Sequence, residues 1–173
     1  MVCKNPIINS TPETRSIVPQ DINRFFLLAG ESVSLAKSFD EEMVKTILKK
    51  VSLQLDSSDS LGVEFGGKEL SKGQWQRLSL ARCIYSNGKL LVLDEATSAI
   101  DPLEEQKILD FFIDDSKGKM AFIVTHRLSI CRRVDRIIYL EGGKIIANGN
   151  HKTLMNTCSK YRKLYEEQAR MFI

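Results

Sequence analysis

The sequence predicts an α/β fold built on a parallel sheet, and three observations carry that expectation. Two apolar runs, at residues 89–94 and 120–124, have the length and continuity of strands buried on both faces. Between them lies a helix signal that opens at Asp101-Pro102 and closes before Gly118. Strand, helix and strand together take about 35 residues, the size of a βαβ unit, whose crossover is expected to be right-handed.

The rest of the chain adds elements in order. The first fifteen residues are polar, carry Pro6 and Pro12, and read as a frayed start. Residues 16–20 form a short strand ended by Pro19. Asp40 is a plausible N-cap, followed by Met43, Val44, Ile47, Leu48 and Val51 at helical spacing. Residues 53–69, rich in Ser, Asp and Gly, read as loop. Ser71-Lys72-Gly73-Gln74 has the capping-box spacing, which starts a helix with Trp75, Leu78, Ala81 and Tyr85 on one face and Asn87-Gly88 at its end. After the first buried strand, Leu103, Ile108, Phe111 and Phe112 give the crossover helix its apolar surface. Residues 136–140 and 144–147 flank Glu141-Gly142-Gly143 as a hairpin. A charged helix over residues 154–169 closes the chain.

Composition narrows the class. A chain of 173 residues suits one compact core. Hydrophobic residues at 43% and charged residues at 27% are ordinary for a globular protein and exclude a disordered one. No run approaches the roughly 18 apolar residues of a membrane span, so any membrane role would pass through a partner. Met1-Val2-Cys3-Lys4-Asn5-Pro6 has no apolar signal-peptide centre, which predicts a cytoplasmic chain. Cys3, Cys83, Cys131 and Cys158 form no C-x-x-C pair, so reduced, mostly buried thiols are expected rather than zinc ligands or disulfides. The net charge of +3, with signs interspersed and Arg132-Arg133 the only adjacent arginine pair, lacks the clustered stripe of a nucleic-acid surface; no nucleic-acid partner is expected.

Chemistry gathers where the strands end. In open α/β sheets the working groups lie at the carboxyl ends of strands, here Asp94-Glu95 after the first buried strand and His126 after the second. One carboxylate can hold Mg²⁺ through its water shell while the next orients a water attacking a γ-phosphate, which assigns Asp94 to the first role and Glu95 to the second. Both acids can equally be decoration of a strand end. The tip at Ser71, Lys72, Gly73 and Gln74 has the same double reading, as an anion site built from free amides and helix dipole or as an ordinary cap.

The combination is more specific than its parts. Leu70-Ser71-Lys72-Gly73-Gln74-Trp75-Gln76-Arg77, Leu80-Ala81-Arg82, Leu91-Val92-Leu93-Asp94-Glu95-Ala96-Thr97-Ser98-Ala99-Ile100-Asp101 and Thr125-His126-Arg127, in that order and spacing, closely resemble the ATP-binding cassette (ABC) ATPases. The resemblance covers nearly everything from about Arg15 onward. It implies a P-loop NTPase-like (RecA-like) parallel core with a helical signature subdomain. It makes residues 71–74 the signature, Asp94 and Glu95 the end of the Walker B strand, Ser98 to Asp101 the D-loop, and His126 the switch histidine. Gln20, in Val18-Pro19-Gln20-Asp21, resembles the Q-loop glutamine that touches Mg²⁺ and faces the transmembrane domain. The implied layout is residues 1–15 frayed, 16–39 Q-loop region, 40–86 helical signature subdomain, 87–150 Walker B, D-loop and switch core, and 151–173 C-terminal helix.

The same resemblance implies ATP and Mg²⁺ as ligands, a second ATPase domain in a head-to-tail dimer, a transmembrane permease partner, and a place at the cytoplasmic face of a membrane. Gly149-Asn150-His151 with Tyr161, Leu164 and Gln168 is similar to the tail of exporter-type cassettes; His151 itself reads as a surface turn residue. Two departures stand out. Lys72 replaces the usual glycine. No P-loop is present: Gly62, Gly67 and Lys68 match its glycine and lysine spacing, but Glu69 holds the hydroxyl position and no apolar strand leads in, which marks a decoy. The expectation is therefore an N-terminally truncated cassette: a fragment of a longer transporter, one half of a split ATPase, or a module that completes a partner's site without turnover. A cytosolic ABC-type ATPase acting on DNA or ribosomes is the alternative from another class.

Overall fold

The computed structural model describes residues 15–95 and 100–170, and the chain divides into two compact units that meet between Val124 and Thr125.

The first unit is built around a parallel sheet in the order β1 (Arg15–Val18), β2 (Leu90–Asp94), β3 (Met120–Val124). The register sets Ile17 beside Val92 and Val92 beside Phe122, with Asp94 beside Val124 at the carboxyl end. Among the described residues four helices accompany it: α1 (Ala29–Ser34), α2 (Glu41–Lys50), α3 (Lys72–Ser86) and α4 (Pro102–Asp115). The starts of α2, α3 and α4 are fixed as the sequence predicts, by Asp40, Ser71 and Asp101 accepting hydrogen bonds from Met43, Gln74 and Leu103 amides. Val18, Leu91 and Leu93 share one apolar cluster with Leu78, Ala81, Ile108 and Phe112, so α3 and α4 contribute to the core beneath one sheet face.

Two expectations need correcting here. Residues 120–124 do not form a strand buried on both faces: Met120, Phe122 and Val124 are 63%, 51% and 53% exposed. Ile17 on β1 joins them. They lie in the rows opposite the core cluster, and among the described residues that side of the sheet remains apolar and open. The helix that follows Ser71 also buries more than one face. Trp75, Gln76, Leu78, Ser79, Leu80, Ala81, Arg82, Cys83 and Ile84 are all buried, because α3 is surrounded by α1, α2 and β1. The buried set includes Gln76 and Arg82, so α3 is a core helix that carries polar side chains inside rather than an amphipathic surface helix.

The second unit pairs β4 (Ile137–Glu141) with β5 (Lys144–Gly149) through Gly142 and Gly143, whose φ values of 56° and 73° are what a two-residue hairpin turn requires. The predicted terminal helix is two helices, α5 (His151–Thr157) and α6 (Ser159–Arg170), because Cys158 is extended at the break. Cys131, Leu154 and Tyr161 form its small core against Tyr139, Ala147 and Tyr165. His151 is not a surface turn residue: it is the first residue of α5, half-buried, with Nδ1 2.9 Å from the Tyr161 hydroxyl. No helix among the described residues is long and apolar enough to cross a membrane.

Candidate functional site

The carboxyl edge of the sheet brings together three of the singled-out side chains. Asp94 ends β2, half-buried, and Glu95 follows it with φ 44°, a left-handed conformation that costs a side-chain-bearing residue about 1 kcal/mol or more. The Glu95 amide donates to the Val124 carbonyl at 3.0 Å, so the turn is anchored to β3 while the carboxylate is carried off the strand axis. From the end of β1, past Pro19, the Gln20 amide nitrogen donates to Glu95 Oε2 at 3.4 Å. With Nε2 turned to that carboxylate, the carbonyl oxygen of Gln20 remains an available hard ligand.

This donor set suits one particular kind of ion. Among the described residues no three His, Cys, Asp or Glu side chains cluster as an all-protein metal cage. One carboxylate and one amide oxygen are what Mg²⁺ takes from a protein when phosphate oxygens and water fill its other positions. Asp94 and Gln20 therefore fit Mg²⁺ held jointly with a nucleotide. Asp101 lies past the described gap and caps α4, its Oδ1 accepting from Leu103 at 3.0 Å; Ser98 falls outside the described residues.

The tip of α3 is the second assembly. Ser71 Oγ accepts from the Gln74 amide at 3.2 Å, and Gln74 Oε1 accepts from the Ser71 amide at 2.8 Å, a complete capping box. That exchange uses the amides of Ser71 and Gln74. The amides of Lys72 and Gly73, at the first two helical positions, have no partner within a helix, and the positive end of the dipole lies behind them. Ser71, Lys72 and Gln74 are exposed and Gly73 half-buried, so an anion can reach the tip. The cap and the anion-site readings are compatible.

The glycine loop ahead of α3 is closed on itself. Phe65, Gly66, Gly67 and Lys68 amides donate to Gly62, Val63, Gly62 and Ser60 carbonyls at 2.7–3.1 Å, and Val63–Phe65 is a turn of 3₁₀ helix. Lys68 Nζ is engaged by Asp59 at 2.7 Å, which holds the Asp59 carboxyl below its usual range. No row of amides is left to wrap a phosphate there.

His126 belongs to the second unit, exposed in the bend ahead of the 3₁₀ turn Leu128–Arg132. Its carbonyl accepts from Gln168 Nε2 at 2.8 Å while Gln168 Oε1 accepts from the Leu128 amide at 2.5 Å. One amide of α6 thus pins both sides of the histidine bend, a structural use of Gln168 that the sequence pattern does not reveal.

Comparisons with known proteins agree with one another. A family model described as "ABC transporter" matches residues 3–98. The subtilin transport ATP-binding protein of Bacillus subtilis is 40% identical over 68% of this chain and 19% of its own length. The ATP-dependent lipid A-core flippase of Burkholderia pseudomallei is 35% identical over 88% of this chain and 26% of its own. A solved bacterial Atm1-family ABC exporter with ATP bound superposes with a TM-score of 0.78 at 26% identity, over 91% of this chain and 29% of the exporter chain. The chain spans about a quarter of the length of these relatives.

Proposed function

This chain belongs to the ABC transporter family, and from that membership we propose that it works as the signature- and Walker B-bearing part of an ATPase that drives export across a membrane. The observation that carries the reading is the meeting of Gln20, Asp94 and Glu95 at one sheet edge in a chain of this family.

In this reading Asp94 and the Gln20 carbonyl hold magnesium beside the triphosphate. Glu95, displaced from the strand axis by its left-handed backbone, orients the attacking water and takes up its proton. When bound, the ion would supply charge neutralisation to the triphosphate. By resemblance to the family, His126 is the switch histidine, and Asp101 with Ser98 belongs to the D-loop that faces the opposing ATPase domain. Ser71, Lys72, Gly73 and Gln74 present their helix tip to ATP held on the partner's P-loop, as the head-to-tail arrangement requires. Gln20 also reports to a transmembrane domain, which places the chain at the cytoplasmic face of a membrane.

The exposed, fully formed Ser71 cap favours one form of this proposal, in which the chain lends its signature to a P-loop carried by another domain. The test is magnesium-dependent ATP hydrolysis by the chain alone and mixed with a complete cassette. Turnover above that of the cassette alone is expected in the mixture, and it should survive Glu95→Gln in this chain, because the ATP that the Ser71 tip touches is served by the partner's own acids. Equal turnover in the mixture with and without the chain contradicts it.

A further inference from the structure

We propose that Arg82 is a positioning residue: it clamps the segment that follows Gln20 onto α3, so that Gln20 and the Ser71 tip move as one body. This rests on the reading of Gln20 and Ser71 given above.

Arg82 lies in the middle of α3 and is only 9% exposed, yet among the described residues its hydrogen bonds run to Ser32 and Asn23 rather than to a carboxylate. Nε donates to the Ser32 carbonyl at 2.6 Å, Nη2 to the Ser32 hydroxyl at 2.7 Å, and Nη1 to the Asn23 carbonyl at 3.0 Å. The Phe25 ring covers the guanidinium at 4.7 Å from its centroid. Burial lowers its pKa to about 10, so it remains a cation at neutral pH.

An unpaired buried cation is a costly way to fill a core, and an apolar side chain of similar volume would be cheaper if packing were all that was required. What the guanidinium supplies is a rigid fork with several donors in one plane. Here the fork closes both ends of residues 23–32, because Asn23 and Ser32 are its two backbone acceptors. Asn23 is three residues beyond Gln20, whose side chain reaches Glu95. Ser71 is on the same rigid helix as Arg82, roughly 16 Å along its axis at 1.5 Å per residue. A displacement of Gln20 is therefore passed to the signature tip through one side chain. The edge-on contact of Phe26 with Trp75, 6.0 Å between centroids, places a built-in fluorophore at the joint.

The experiment compares the native chain with Arg82→Met and Arg82→Lys, the latter keeping the cation without the fork. Amide hydrogen exchange is followed at Gln20, Ala29 and Gly30 and in the interior of α3, with acrylamide quenching of Trp75. The expected result is exchange at least about tenfold faster in residues 20–32 of either variant, easier quenching, and α3 unchanged. No change in residues 20–32, or an equal rise in both regions, overturns the clamp. In the assembled ATPase, Arg82→Lys is expected to lower kcat by roughly tenfold without raising KM for ATP, and to have almost no effect when added to Gln20→Ala. Equal loss in both backgrounds means that Arg82 acts on packing alone and overturns the link to Gln20. An assembly that hydrolyses no ATP with the native chain refutes the proposed function, while the exchange result still decides the clamp.

Discussion

At Glu95 the proposed general base and a backbone penalty coincide. Its φ of 44° is a conformation that glycine adopts freely, so Glu95→Gly is expected to leave the thermal midpoint unchanged or raise it, by up to about 1 kcal/mol of stability. Glu95→Gln keeps both the side-chain volume and the strain. In an assembly that supplies a P-loop beside these acids, both variants should abolish hydrolysis at that site; a melt in which Glu95→Gly unfolds well below the native chain would show that the residue is held for folding rather than chemistry. That an acid pair closes the strand was legible in the sequence as an apolar run ended by Asp-Glu. The left-handed turn was not, because nothing in Asp94-Glu95-Ala96 announces it; the Glu95 amide bond to Val124 accompanies it, and that is a tertiary contact. Cys83 makes a simpler case. Burial, with Asp115 adding, pushes its thiol up to about 12. Cys83 and the likewise buried Cys131 should resist thiol reagents until the chain unfolds, whereas half-buried Cys158 should label in the native state.

Among the elements, α3 matters most, because its N-terminal cap is also the proposed ligand surface. Ser71→Ala removes one half of the capping box and should cost about 1 kcal/mol in a denaturant titration, with Ser71→Gly costing only a few tenths. A much larger loss would mean that Ser71 supports more than the helix end. In the second unit, α5 and α6 meet at His151, which packs 4.6 Å from the Tyr165 ring and close to Arg132. Burial first, and Arg132 second, hold its pKa below the usual 6.5. The unfolded chain therefore binds a proton that the folded one refuses. Its stabilising contribution is complete above 6.5 and falls away as the pH drops below that value. Thermal melts at about pH 7.5 and pH 5.5 should show an acid-induced loss that His151→Gln reduces. Helix starts were legible because Asp40, Ser71 and Asp101 act locally. The short helix α1 was not: Gly30 and two serines are poor helix formers, and Gly30 is required because the Phe39 ring would sit 2.1 Å from any added Cβ. The break at Cys158 has a local signal, because Asn156-Thr157-Cys158-Ser159 are four weak helix formers in a row, but the charged run from Lys160 onward drew the whole stretch into one predicted helix.

For the molecule as a whole, the parallel sheet has one face in the core and one apolar face open among the described residues. Parallel sheets are normally covered on both sides, so the expectation of fully buried strands followed from the rule and failed on the context. The 173-residue chain by itself should bind a hydrophobic dye through Met120, Phe122 and Val124, and Phe122→Glu should sharply reduce that signal without changing helix content. The order of strand, crossover helix and strand was readable from periodicity, and the family from its motifs; which strand face would be covered depends on elements that no local pattern specifies. The most direct measurement is an ATP titration of a complete cassette with and without this chain. The account predicts that ATP binds more tightly when the chain is present, by roughly tenfold, and that Gly73→Glu, which sets a carboxylate against the γ-phosphate, removes the gain. An affinity unchanged by the chain, or a gain that survives Gly73→Glu, contradicts it.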